Sequence, residues 1–92
     1  MTKNFHFQNP ELFQKIKTIS NPARFKILEL TQEKELNVTE IGKNLKITYK
    51  RCSEYIKKLE KLKMISKIKK GKNVYIRSRV GLNCKSISFL KE

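Results

Sequence analysis

The strongest constraint on the fold lies in the segment TYKRCSEYIKKLEKLKM, residues 48–64, where apolar residues recur at helical spacing. At 100° per residue, Cys52, Ile56 and Leu59 fall within an arc of about 60°. The opposite side carries charged residues: Lys50, Glu54, Lys57 and Lys61. The pattern predicts an amphipathic helix over Thr48 to about Leu62, capped by the threonine hydroxyl, with one buried and one charged face.

Three shorter helices are predicted before this one. Asn9 precedes Pro10, which opens a helix carrying the apolar stripe of Leu12, Ile16 and Ile19, expected to be core or dimer surface. A second helix follows from Pro22 to about Thr31. Leu36 and Val38 alternate like a brief extended segment, and Thr39 is predicted to cap a third helix over Glu40 to Asn44 or Leu45. Helix, tight turn and helix form a helix-turn-helix unit at about 39–62.

Two alternating segments follow the long helix. Ile65 to Lys70 and Asn73 to Val80 flank Gly71-Lys72, a spacing typical of a β-hairpin. A basic hairpin after a helix-turn-helix is a wing, here at about 65–80. The predicted fold is mainly α with a small β-hairpin: a single winged-helix domain over residues 1–92, with three to four helices and a two-stranded wing.

The positive charge is concentrated in one half of the chain. The net charge is +14, and residues 43–85 hold fifteen basic and two acidic residues. A solvated lysine surface explains single lysines but not this asymmetry, so a nucleic acid is favoured over a membrane surface as the partner. The helix-turn-helix and wing then predict double-stranded DNA as that nucleic acid. No apolar run approaches the ~18 residues of a membrane span, and the N-terminal segment lacks a signal-peptide core, so we expect a cytoplasmic, nucleoid-associated protein.

Three segments together resemble the ArsR-type winged-helix transcriptional regulators over roughly residues 10–80. SNPARFKILEL looks like the opening helix of that family, ELNVTEIGKNLKITYKRCSEYIKKLEKLKMI is similar to its helix-turn-helix, and KKGKNVYIRS looks like its wing. The resemblance implies a homodimer that binds a palindromic operator and represses transcription.

The sequence departs from the metal-sensing members of that family. Those members carry paired cysteines in a segment ELxVxxL, where this chain has Asn37 and Thr39, and neither supplies a thiolate. The other sensor site uses a cluster of histidine and carboxylates, whereas this chain has one histidine, His6, and no aspartate. We therefore expect no metal and no cofactor. Lys46 and Lys63 stand where the family often has glycine in a left-handed conformation.

Eleven residues are candidates for contacts with DNA. Side chains in the first turns of a recognition helix reach base edges, and Lys50 is the best candidate for guanine acceptors. The predicted base contacts are Thr48, Tyr49, Lys50 and Ser53. Cations farther along the helix, at the turn and on the wing are assigned to phosphates, which position the protein without reading sequence. They are Lys46, Arg51, Lys57, Lys58, Lys69, Lys70 and Lys72.

Two further inferences limit the function. Cys52 shares the buried arc, so it is expected to act as a small apolar residue, with a redox switch as the minor alternative. The chain contains no Ser, His and Asp set and no phosphate loop, and no enzyme is predicted. Two alternatives to a sequence-specific repressor stay open: a nucleoid protein that coats DNA, and a winged helix that binds RNA or a protein of the transcription machinery.

Overall fold

The structure, a computed structural model, describes residues 10–82 and 87–89. Within them, helices α1 to α4 and strands β1 to β3 come first, and strands β4 and β5 follow. The helices are α1 (Pro10–Ile19), α2 (Pro22–Glu33), α3 (Val38–Leu45) and α4 (Tyr49–Lys61). The strands are β1 (Leu36–Asn37), β2 (Ile65–Lys70), β3 (Asn73–Ser78), β4 (Val80–Leu82) and β5 (Ile87–Phe89). The predicted helices and hairpin are confirmed. Asn9, a cap candidate because it directly precedes the helix that opens at Pro10, and His6 lie outside the described residues.

One core joins the helices to the wing. Ile27 and Leu28 of α2, Ile41 of α3 and the stripe of α4 are all buried, and Ile76 of β3 closes the core from the sheet. The stripe of α4 is the one predicted from its spacing: Cys52, Ile56 and Leu59 are almost completely inaccessible to solvent. Burial of this stripe fixes the rotation of α4 and leaves its lysine side outward.

The wing sheet has a third strand, β1, which lies at the predicted extended segment but whose pairing with the wing was not predicted, and Val38 belongs to α3 instead. The order in the sheet is β1-β3-β2, and both neighbouring pairs are antiparallel. Ile76 of β3 lies opposite Leu36 of β1 on one side and opposite Lys67 of β2 on the other. The pattern at Leu36 and Val38 predicted a brief extended segment, but two residues carry too little periodicity to reveal a strand partner.

The predicted second wing strand, Asn73 to Val80, is divided in two. The Ser78 hydroxyl accepts from the Val80 backbone N–H and donates to the Val80 carbonyl, both at 2.9 Å. The Arg79 N–H then donates to the Met64 carbonyl at 2.8 Å. These bonds end β3 at Ser78 and turn the chain into β4, which pairs with β5 in a separate two-stranded sheet.

Helix α3 begins two residues earlier than predicted. Asn37, not Thr39, is the N-cap: its side chain accepts from the Glu40 N–H at 2.8 Å, and the Glu40 carboxylate accepts from the Asn37 N–H at 2.9 Å. This reciprocal capping box satisfies two donors at once, whereas a Thr39 cap would satisfy one. Helix α2 also continues past Thr31, to Glu33.

Candidate nucleic-acid interface

The first turn of α4 presents the predicted base-contacting residues. The Thr48 hydroxyl accepts from the Arg51 backbone N–H at 3.1 Å, which confirms the predicted cap. Thr48 and Lys50 are exposed, and 64% of the surface of Tyr49 is accessible. Ser53, one turn later, is half-buried. The cap therefore holds three of the four candidates at the exposed end of the helix and the fourth at its margin.

The outer side of α4 is rich in lysine. Lys50, Lys57, Lys58 and Lys61 are all exposed, and Glu54 is the carboxylate among them. Rotation of about 100° per residue places Lys50 and Lys57 within about 20° of each other on this side. The lysines therefore form a continuous row facing away from the core, suited to the backbone of an acidic polymer.

Lys46 and Lys63, which stand where the resembled family often has glycine, both have a left-handed backbone conformation. Lys46 has φ 58° and ψ 43°, and Lys63 has φ 59°. Lys46 follows α3, where the Ile47 N–H bonds the Gly42 carbonyl, and Lys63 follows α4, where the Met64 N–H bonds the Leu59 carbonyl. Each lysine ends its helix as a glycine would, and each adds a positive charge at that point.

The wing lysines differ in their surroundings. Lys69, Lys70 and Lys72 are all exposed at the distal end of the hairpin. The Lys70 ammonium, however, lies 2.6 Å from the Glu35 carboxylate and 5.7 Å from the centre of the Tyr75 ring. Lys70 must share or break this pair to reach a phosphate.

Another ion pair links the wing to α4. Lys67 of β2 lies 3.0 Å from Glu60, with both side chains partly exposed. An exposed pair of this kind contributes roughly 0 to 1 kcal/mol. Its importance lies in its position, because it joins the last turn of α4 to the first wing strand. Neither Glu60 nor Lys67 was singled out from the sequence, because they are seven residues apart and meet only after the chain turns.

Arg51 belongs to a cluster that the sequence did not reveal. Its Nη1 donates to the Tyr55 hydroxyl at 3.3 Å, and the Arg24 guanidinium of α2 lies 5.8 Å from the centre of the Tyr55 ring. The bond to Tyr55 raises the pKa of Arg51 above its ordinary value, with a smaller contribution from the charge of Glu54. The spacing of Arg51 and Tyr55, four residues apart, was a visible signal for their contact. The third member, Arg24, is too distant in sequence to be inferred.

Cys52 is buried, as its position on the apolar arc predicted. Its Sγ lies 3.6 Å from the Val38 carbonyl, to which the thiol donates, and burial raises the pKa of the thiol. A thiol held in the neutral form is a poor nucleophile. The predicted apolar role agrees with this environment. The second cysteine, Cys84, lies outside the described residues.

The positions of the metal-sensing cysteines have other uses in this chain. Asn37 caps α3 and Thr39 is exposed on its first turn. In residues 10–82 and 87–89, no three histidine, cysteine or carboxylate side chains come together as metal ligands. No helix in this part of the chain is long and apolar enough to cross a membrane.

Comparisons with known proteins agree with this geometry. The sequence model of the winged helix-turn-helix family matches residues 23–86. No curated protein sequence matches the chain.

Solved structures give the same fold at low sequence identity. HlyU from Vibrio cholerae superposes with a TM-score of 0.71 at 22% identity, over 85% of this chain and 80% of its own. NolR from Sinorhizobium fredii superposes with a TM-score of 0.70 at 17% identity, over 80% of this chain and 81% of its own. A homodimeric winged helix-turn-helix DNA-binding domain from Mycobacterium bovis is described as a possible ArsR-family regulator. It superposes with a TM-score of 0.69 at 20% identity, over 74% of this chain and 63% of its own.

Proposed function

The chain belongs to the winged helix-turn-helix family, and from that premise we propose that it is a transcriptional regulator that binds double-stranded DNA. One observation carries the proposal: α4 buries its apolar stripe and turns a row of lysines and an exposed first turn outward. A helix of this kind fits the major groove of B-form DNA, about 12 Å wide, with its N-terminal side chains nearest the bases.

The proposed contacts divide into two groups. Thr48, Tyr49, Lys50 and Ser53 read base edges, with Lys50 donating to the guanine acceptors. The lysines of the turn, the helix and the wing, together with Arg51, neutralise phosphates and set the register. Lys46 is well suited to this role, because it is an exposed cation in the turn that leads into the recognition helix.

We further propose that the regulator is a homodimer and acts as a repressor. Helix α1 keeps apolar side chains at the surface: 42% of Ile16 and 37% of Leu12 are accessible, while Ile19 is buried. A second copy that covers this face would bring two recognition helices to successive major grooves, about 34 Å apart. The homodimeric assembly of the domain from Mycobacterium bovis supports this arrangement. The operator should then be an inverted repeat.

Selection from a pool of genomic fragments at two salt concentrations tests the proposal. A sequence-specific regulator enriches one short inverted repeat by about a thousandfold or more over bulk DNA. Equal binding of all fragments, with a logarithmic salt slope near −0.9 for each phosphate contacted, would contradict it.

A DNA-coating protein of the nucleoid is the second candidate. It is favoured by the nature of the cations, since only four of the 22 basic residues are arginines, the side chain best suited to bidentate base contacts. Binding of RNA or of a transcription-machinery protein is the third, and the same experiment with RNA competitors separates it from the others. Double-stranded DNA remains the proposed ligand, because Tyr49 is the one aromatic side chain among the proposed contacts and offers no stacking platform for several bases.

A further inference from the structure

Tyr55 lies between two arginines, one from α2 and one from its own helix. The Arg24 guanidinium approaches the face of the ring at 5.8 Å, and the Arg51 guanidinium donates to the hydroxyl at 3.3 Å. Tyr55 is half-buried, whereas Arg51 is exposed. The tyrosine thus links the half-buried Arg24 of α2 to the exposed Arg51 of α4.

Arg24 is itself held in place beside the ring. Its Nε donates to the Thr18 carbonyl at 2.8 Å, in a partly buried bond that ties the guanidinium to the end of α1. The N-terminus of α2 is itself anchored, because the Asn21 side chain accepts from the backbone N–H groups of Ala23 and Arg24 at 2.9 and 3.1 Å. A cation held at this point attracts the ring face and restricts the rotation of Tyr55.

Arg51 is exposed and has donors that its bond to Tyr55 does not use. A guanidinium has five N–H groups, and the bond to Tyr55 uses one of them. Among the described residues, no carboxylate forms an ion pair with Arg51, although the charge of nearby Glu54 acts on it. Two parallel N–H donors are enough for a bidentate phosphate contact, and the planar fork needs a defined orientation to make one.

We propose that Tyr55, held in place by Arg24, is a positioning residue that orients the Arg51 guanidinium toward a DNA phosphate beside the recognition helix. The proposal rests on the DNA-binding function proposed above. It assigns Tyr55 a role in binding although its own side chain touches no DNA. Orientation in the free protein reduces the ordering that binding would otherwise require of a long, flexible side chain.

Replacement of the hydroxyl alone tests this role. Tyr55→Phe keeps the ring under Arg24 and removes only the acceptor for Arg51. In the full-length chain, binding to a 30-base-pair duplex is measured by fluorescence anisotropy over a range of salt concentrations. We expect the affinity of Tyr55→Phe to fall by roughly threefold to tenfold, the effect of one hydrogen bond. Arg51→Ala should reduce the logarithmic salt slope by about 0.9, one phosphate contact.

The combined variant separates positioning from a general structural role. In the Arg51→Ala background, Tyr55→Phe should cause no further loss, because the group that it positions is absent. Arg51→Lys offers a second route that leaves the tyrosine intact: lysine keeps the charge but not the planar fork, so its affinity should also be indifferent to Tyr55→Phe.

Tyr75→Phe is the matched control. Tyr75 also lies beneath a cation, Lys70 at 5.7 Å, but on the wing and away from Arg51. Tyr75→Phe should leave unchanged the difference in DNA affinity between proteins that have Arg51 and proteins with Arg51→Ala. Thermal unfolding of each variant checks that the fold is retained.

Two results would overturn the inference: an unchanged affinity in Tyr55→Phe, or an equal loss with and without Arg51. Failure of the unaltered protein to bind any duplex would instead refute the proposed function, so the two failures are distinct. A loss in Tyr55→Phe that is confined to proteins with Arg51 supports the positioning role.

Discussion

The left-handed lysines place a charge where the backbone would favour glycine. A side chain at φ near 60° costs roughly 1 kcal/mol relative to glycine, and Lys46 and Lys63 both adopt this conformation. Lys46 lies in the turn before α4, three residues ahead of its first residue, Tyr49, where we propose a phosphate contact. If Lys46 contacts a phosphate as proposed, the cost in stability is coupled to a gain in binding at the same residue.

Glycine at these two positions should stabilise the protein. Lys46→Gly and Lys63→Gly are each expected to raise the free energy of unfolding by about 1 kcal/mol in urea denaturation. Lys46→Gly should also make the logarithmic salt slope of DNA binding shallower by about 0.9.

Lys43→Gly is the control for this pair. Lys43 is an exposed residue inside α3, and glycine there should destabilise by about 1 kcal/mol. A loss of stability in Lys46→Gly similar to that in Lys43→Gly would contradict the left-handed assignment.

The Cys52 thiol should be unreactive in the folded protein. Its burial raises its pKa, and the thiolate is the form that reacts with iodoacetamide and peroxide. In a Cys84→Ser background, treatment of the native protein should leave DNA affinity unchanged within about twofold, whereas urea should expose the thiol to rapid alkylation. A loss of affinity that Cys52→Ser escapes would instead identify a redox switch.

The start of α3 is decided by a pair of residues rather than by one. Asn37 and Glu40 bond each other reciprocally, so loss of either partner leaves a backbone N–H without its acceptor. Asn37→Ala should lower the free energy of unfolding by about 1 kcal/mol. Thr39→Ala, two residues later, should change the free energy of unfolding by less than about 0.5 kcal/mol. A larger loss in Thr39→Ala than in Asn37→Ala would show that Thr39 is the cap after all.

Elements with a long apolar period were predictable from the sequence, whereas elements defined by a distant partner were not. The stripe of Cys52, Ile56 and Leu59 was sufficient to predict the rotation of α4, and the identity of Thr48 predicted its cap. Strand β1 exists because Leu36 pairs with Ile76, forty residues away. The break at Ser78 depends on a bond from Arg79 to Met64, which also requires the folded chain.

The same division holds for the candidate site. Exposure of Lys50 follows from its position opposite the apolar arc, which the sequence displays. Tyr49 borders that arc, and its exposure at the first residue of α4 is known only from the structure. The pairing of Lys70 with Glu35 cannot be predicted from the sequence, because β1 and β2 are brought into one sheet only by β3 between them. Sequence patterns therefore identify which cations face outward, and tertiary contacts decide which of them are already paired.

At the scale of the whole molecule, the exposed side of α1 is the surface where we expect the dimer contact. Ile16→Asp places a charge on this surface and should convert the dimer to a monomer, measured by sedimentation velocity at micromolar concentration. Loss of bivalent binding should weaken affinity for an inverted repeat by about a hundredfold or more. Lys17→Asp, on the neighbouring exposed residue of the same helix, should remain dimeric. A dimeric Ile16→Asp protein would place the contact on another surface.

The recognition helix and the wing are joined without a flexible linker. Three residues separate α4 from β2, and the last of them, Met64, is buried with Ile65 behind it. The backbone bonds at Lys63 and Met64 and the Glu60 to Lys67 pair hold the joint from both sides. The distance between helix and wing tip is thus a property of the protein, and only a duplex whose groove spacing matches it can engage both without deformation. B-form DNA and A-form RNA differ in groove geometry, so we expect the joint to favour a DNA duplex over an RNA duplex.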